Sequence, residues 1–148
     1  MAGLKPEDMH NDQIKQRIIK TVLDHYPTVQ GIYLFGSYGT ESEWLDSDID
    51  IALLLPHNLA KEVENLVMSR CRFDLEDAFH KEVDLLNVRL VSTVFQKEII
   101  DGDNLIYCVD RFAVDEFEML AISYYQKLNE ERREILDSFM RTGRAYAV

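Results

Sequence analysis

The sequence predicts an α/β fold, of the α+β kind, in which helices flank a small mixed β-sheet. Short apolar runs with strand character alternate along the chain with longer segments whose apolar residues recur at helical spacing. The chain has 148 residues, enough for one domain with a substantial core, and no linker rich in Pro, Gly or Ser divides it. We therefore expect a single domain over residues 1–148, with its core in 31–88.

The individual elements follow from the apolar spacing and from the residues that end each run. In the first half of the chain we expect a helix over 12–26 ended by Pro27, a strand over 31–35 ended by Gly36, one or two helical turns within 37–47, and a strand over 48–55 ended by Pro56. In the second half we expect a helix over 58–79, a strand over 82–88, a helix over 93–101, a short strand over 105–109 and a long helix over 112–140. The helix over 93–101 begins with the Thr-x-x-Gln pattern of a capping box, and Gly102 is its expected stop.

The long C-terminal helix carries apolar residues outside its main stripe as well. These are Met119, Ile122, Tyr125 and Met140. Two interpretations remain open, because isolated apolar residues are common on protein surfaces. Either the helix is broadly buried, with some scatter, or it presents a surface to a partner.

The formal net charge of −11 argues against a protein that binds nucleic acid by itself, because such affinity comes largely from Lys and Arg on phosphates. A small anionic substrate stays possible, since metal ions can supply positive charge. Only Cys71 and Cys108 occur, without a CxxC pair, which predicts a reducing, cytoplasmic setting. No segment is typical of a signal peptide or a membrane span.

Two carboxylates lie close together in the strand over 48–55. Side chains alternate along a strand, so Asp48 and Asp50 share a face with their Cα atoms about 6.5–7 Å apart, while Ile49 points to the core. Hard oxygen ligands of this kind suit magnesium, and a pair of ions can grip both oxygens of an in-line phosphoryl displacement. If the strands over 48–55 and 82–88 pair, Asp84 joins the same face and can hold metal beside an attacking hydroxyl and take its proton.

Gly36 and Ser37 follow the first strand at the expected start of a short helix. Backbone N–H groups at a helix start attract anions, and glycine lets a phosphate approach the backbone closely. The pair therefore predicts a cradle for the phosphates of a nucleoside triphosphate. The P-loop and dinucleotide-binding patterns are both absent from the sequence.

Gly36-Ser37, ten further residues and Asp48-Ile49-Asp50 resemble the GS–x10–DxD signature of the DNA polymerase β-like nucleotidyltransferases. The small size, with Asp84 on a following strand, is similar to the minimal nucleotidyltransferases, or MNT proteins. The resemblance implies a polymerase β-like fold and transfer of a nucleoside monophosphate from a triphosphate to a hydroxyl. It further implies that Gly36 and Ser37 hold the triphosphate, that Asp48 and Asp50 bind two Mg²⁺ ions, and that Asp84 binds one of them and activates the acceptor.

Many MNT proteins are antitoxins of HEPN-domain RNases, and the resemblance implies transfer of AMP from ATP to a tyrosine hydroxyl of such a toxin. A hetero-oligomeric complex with the toxin follows from this, without nucleic acid or membrane as a direct partner. Two alternatives stay open. One is a nucleotidyltransferase acting on a small-molecule hydroxyl such as that of an aminoglycoside, and the other is an antitoxin that neutralises its partner by binding alone.

Overall fold

The computed structural model describes residues 11–35 and 48–142. Helices and strands alternate along this part of the chain, as expected. The helices are α1 (Asn11–His25), α2 (His57–Val63), α3 (Arg70–Phe79), α4 (Thr93–Asp101) and α5 (Arg111–Thr142). The strands are β1 (Gly31–Phe35), β2 (Ile49–Leu54), β3 (Val83–Asn87) and β4 (Leu105–Cys108).

The four strands form one mixed sheet in the order β3-β2-β1-β4. β1 pairs in antiparallel fashion with both β2 and β4, whereas β2 and β3 run parallel. A parallel pair needs a crossover connection, and α2 and α3 supply it. The predicted small mixed sheet flanked by helices is therefore confirmed.

Each face of the sheet packs against its own set of helices. On one face, Ile49, Ile51 and Leu53 of β2 belong to a buried cluster that also includes residues of α1, α2 and α3. On the other face, Ala52 and Leu54 pack with residues of α4 and α5. The side chains of β2 thus alternate between two cores, which specifies the register of the strand strongly.

The predicted single helix over 58–79 is wrong, because α2 ends at Val63 and α3 begins at Arg70. Glu64 has a positive φ of 49°, which ends the first helix. The Asn65 side chain then accepts a hydrogen bond from the Val67 N–H, and the Ser69 hydroxyl accepts one from the Arg72 N–H as the N-cap of α3. Local side-chain bonds therefore outweigh the apolar spacing that runs through this turn.

The predicted capping box at Thr93 is also displaced by one residue. Ser92 is the N-cap of α4, and its hydroxyl accepts a hydrogen bond from the Phe95 N–H. The Gln96 amide donates to the Val88 carbonyl instead of returning to the helix start. Gly102 caps the C-terminal end of α4, as predicted.

α5 is buried only near its beginning. Its buried residues, from Ala113 to Ala121, all lie in the first third of the 32-residue helix. Beyond them Tyr124 is 58% exposed and Met140 is 74% exposed. The interpretation of a broadly buried helix is therefore wrong for the distal two thirds. Among the described residues, no helix is both long and apolar enough to cross a bilayer.

Candidate functional site

Parallel pairing of β2 with β3 brings two of the predicted carboxylates together. In the register of this pair, Asp50 lies directly beside Asp84, and neighbouring strands are about 4.8 Å apart. Asp48 immediately precedes β2 and is exposed. The expected strand pairing, on which the placement of Asp84 depended, is confirmed.

Buried isoleucines hold this arrangement in place. Ile49 and Ile51 flank Asp50 and are at most 1% exposed, in the core beneath the sheet. A slip of one residue would drive Asp50 into that core and expose both isoleucines. The unfavourable burial of a carboxylate therefore keeps Asp50 on the face that it shares with Asp84.

Asp50 lies in a partly buried and negatively charged environment, which changes its pKa. Burial, the hydrogen bond with Asp84 and the negative charges of Asp84 and Asp48 raise the pKa of Asp50 to about 6, and burial contributes most. Two carboxyl groups can hydrogen-bond to each other only if one of them carries a proton. Asp50 therefore keeps a proton, in contact with Asp84, only below about pH 6 where opposing positive charge is missing.

This pair of close carboxylates fits a divalent cation, which would offset their mutual repulsion. Among residues 11–35 and 48–142, no group of three or more His, Cys, Asp or Glu side chains is arranged to hold a metal ion. Magnesium, however, commonly takes only one or two carboxylates and completes its shell with phosphate and water. The carboxylates thus fit a magnesium site that the nucleotide would complete.

Two aromatic rings, those of Phe35 and Phe95, lie beside the carboxylates and are called the aromatic wall below. Phe35, the last residue of β1, is the register partner of Asp50. Its ring meets the ring of Phe95 on α4 edge to face, with 5.5 Å between centroids. Sequence reasoning missed this wall, although Phe35 directly precedes the glycine-serine pair. Gly36 and Ser37 themselves lie outside the described residues, and so does the stretch 38–47 with its predicted helical turns.

Other charged residues near the third strand have structural partners. The Asp74 carboxylate on α3 accepts a hydrogen bond from Nε2 of the His25 ring at 2.6 Å. The Arg72 guanidinium forms an ion pair with Glu76 at 3.1 Å and donates to the Val83 carbonyl. Of the acidic residues close to β3 in sequence, only Asp84 lies beside Asp50 in the sheet register.

A family model described as polymerase beta nucleotidyltransferase matches residues 17–112 of this chain. This range contains the three aspartates that the sequence predicts for the site, Asp48, Asp50 and Asp84. The chain belongs to the polymerase beta nucleotidyltransferase family. The resemblance predicted from the glycine-serine and Asp-x-Asp motifs is thereby confirmed.

A member of this family, protein adenylyltransferase MntA of Shewanella oneidensis, is 34% identical to this chain over 134 residues. The match covers 90% of this chain and 92% of the relative. Family membership and this relative together confirm the predicted class of enzyme, a nucleotidyltransferase.

Solved structures of the family share the fold. A complex of the tri-AMPylated Shewanella oneidensis HEPN toxin with an MNT antitoxin matches with a TM-score of 0.65 and 31% identity, over 88% of this chain and 99% of that one. A toxin–antitoxin structure with AMP-PNP matches with a TM-score of 0.64 and 32% identity, over 85% of this chain and 98% of that one. The predicted polymerase β-like fold is therefore confirmed.

Proposed function

We propose that this chain is an antitoxin that transfers AMP from ATP to a hydroxyl group, that of a tyrosine, on a partner HEPN-domain RNase and so neutralises it. Its relative in Shewanella oneidensis is a protein adenylyltransferase, and a structural relative is complexed with an AMPylated HEPN toxin. The observation that carries the proposal is the register that sets Asp84 beside Asp50. It supports a metal-assisted transfer site on this chain in particular.

Each predicted site residue has a role in this reaction. Asp48, Asp50 and Asp84 would hold two Mg²⁺ ions, and Gly36 and Ser37 would bind the triphosphate. The ions, when bound, supply positive charge opposite the phosphate oxygens. A structural relative with AMP-PNP supports ATP as the substrate.

The transfer itself exchanges one phosphorus–oxygen bond for another. The acceptor oxygen attacks the α-phosphorus of ATP, and its new bond forms as the bond to the pyrophosphate oxygen breaks. Asp84 takes the proton that the acceptor hydroxyl loses, and pyrophosphate leaves with the electron pair. The exposed position of Asp84 suits this role, because a macromolecular acceptor must reach it from solvent.

Intact-mass spectrometry tests the proposal. The partner HEPN protein is incubated with ATP, Mg²⁺ and either the unmodified chain, Asp50→Asn or Asp77→Asn, which changes an exposed carboxylate on α3. We expect a gain of one or more AMP units with the unmodified chain and with Asp77→Asn, and none with Asp50→Asn. A partner that is silenced without any gain in mass would contradict catalysis and indicate neutralisation by binding alone.

A further inference from the structure

A cavity of about 630 Å³ lies beside β3, beyond Asp84 along the strand. Its wall combines the strand residues Leu85–Asn87 with the turn residues Asn65–Val67 and with Leu90. The volume is within the range of natural binding sites, and most of these wall residues are apolar. The cavity therefore has the size and character of a binding site separate from the carboxylates.

β3 lies at one edge of the sheet that the described residues form, so one row of its backbone groups faces away from the sheet. The Ile49 N–H donates to the Glu82 carbonyl, which places the backbone groups of Val83, and by alternation those of Leu85 and the N–H of Asn87, in the outward row. Asn87 is also the N-cap of a 3₁₀ turn over Val88–Leu90, which takes up its carbonyl. At Val83 this row is covered, because its N–H donates to the Glu76 carboxylate and its carbonyl accepts from Arg72. The side chains that cover the edge therefore lie at the start of the strand, whereas Leu85 and Asn87, further along it, line the cavity.

Asn87 gives the cavity wall an unused hydrogen-bond acceptor. Its Nδ2 donates to the carbonyls of Ala60 and Glu64 at 2.9 and 3.0 Å, which settles the orientation of the amide. The residue is only 4% exposed, and its Oδ1 has no hydrogen-bond partner among the described residues. A buried acceptor without a partner destabilises the folded state. An occupant with an N–H or O–H group would relieve it.

Exposed apolar side chains lie at the cavity as well. Val67 and Leu90 are 44% and 52% exposed, and the neighbouring Met68 is 77% exposed. A small molecule inside the cavity would leave these side chains in water, whereas a polypeptide laid along the strand would cover them. These exposed side chains and the outward row of backbone groups therefore both favour a polypeptide.

We propose that the outer edge of β3 and the cavity bind an extended segment of the protein acceptor, which adds to the sheet as a further strand. The proposal rests on the proposed function, since Asp84 on the same strand is to meet the acceptor hydroxyl. Asp84 and Asn87 are three residues, or about 10 Å, apart along β3. An apolar side chain about three residues from the modified hydroxyl then enters the cavity.

Steady-state kinetics of transfer test the position of the segment. Leu90→Glu places a charge at the cavity, and Val109→Glu places one directly after β4, at the opposite edge of the sheet, where Val109 is 64% exposed. We expect Leu90→Glu to raise the KM for the protein acceptor about tenfold, with the KM for ATP unchanged. Val109→Glu should leave both constants unchanged. An unaltered acceptor KM in both Leu90→Glu and Val67→Glu would overturn the proposal.

Hydrogen exchange separates this proposal from the proposed function. Exchange of a peptide that spans 83–90 is followed in the Asp50→Asn variant, free and mixed with the HEPN partner, so that no transfer is needed. Protection of this peptide in the complex supports strand addition even if the unmodified chain never transfers AMP. A complex that forms without protecting it overturns the proposal even if transfer is efficient. Failure to form any complex would overturn strand addition, whereas the proposed transfer is decided by the gain in mass of the partner.

Discussion

The two ends of β2 differ in charge and in burial. At its beginning, Asp50 carries a pKa raised to about 6 beside Asp84, and Asp48 adds a further negative charge. At its end, Leu53 and Leu54 are fully buried, one in each of the two cores. One end of the strand therefore carries the carboxylates of the proposed site and the other contributes stability. Substitutions at the two ends should have separable effects.

The largest effect is expected at the site end. Asp84→Asn removes the group proposed to accept the proton of the acceptor hydroxyl, so kcat should fall by about 10²–10⁴-fold. The melting temperature should not fall, because Asp84 is exposed and its negative charge opposes that of Asp50. Intact-mass time courses and thermal melting measure the two quantities. A variant that retains full kcat would remove Asp84 from the site, and Asp77→Asn serves as the control for loss of one exposed carboxylate.

At the core end the expected effect is on stability alone. Leu53 is fully buried, so Leu53→Ala should lower the free energy of unfolding by about 2–5 kcal/mol through lost transfer energy and a residual cavity. Urea unfolding measures this loss, and activity per folded molecule should stay unchanged. The exposed Leu136, 58% accessible on α5, offers a matched control in Leu136→Ala. Equal losses in both variants would contradict the division of β2 into two functional ends.

Tyr33 lies between these ends, in register with Ala52, and ties the sheet to α5. It is 1% exposed, and its hydroxyl donates to the Glu118 carboxylate at 2.7 Å. Tyr33→Phe should therefore lower the free energy of unfolding by about 1 kcal/mol, with transfer unchanged. Tyr124→Phe, at an exposed tyrosine of the same helix, should have no effect in the same urea titration. A loss of transfer in Tyr33→Phe would show that α5 positions the site.

The sequence predicted the site end better than the surroundings of the cavity. β1, β3 and α4 follow from short apolar runs and helix stops, and their ranges agree with the prediction within a residue or two. The break between α2 and α3 does not follow from apolar spacing, because it depends on the positive φ of Glu64 and on the bonds of Asn65 and Ser69. That turn forms one wall of the cavity, so the cavity could not be predicted either.

The placement of Asp84 illustrates the same limit within the site. The sequence predicted that Asp84 lies on a strand. Its position beside Asp50, however, depends on which strands pair and in which direction, and tertiary packing decides both. The wall of Phe35 and Phe95 depends likewise on α4 packing against the sheet. The phosphate-binding roles of Gly36 and Ser37 stay predictions.

The smallest effect expected is a gain of stability at the site end. The folded-state pKa of Asp50, about 6, lies above its ordinary value of 3.8. The folded protein therefore holds a proton that the unfolded chain has already released. The stability contributed by this protonation is fully present below pH 3.8 and is lost as the pH rises through about 6. Asp50→Asn removes this loss.

Without divalent metal, Asp50→Asn and the unmodified chain should therefore have similar melting temperatures at about pH 4. At about pH 7 the variant should melt at the higher temperature. The gain should be modest because solvent screens a half-buried carboxylate. Addition of Mg²⁺ and ATP should stabilise the unmodified chain alone, since a cation offsets the repulsion that the variant no longer has. If the two melting temperatures differ by the same amount at every pH in this range, the start of β2 does not lower stability. The contrast between the two ends of the strand would then concern chemistry only.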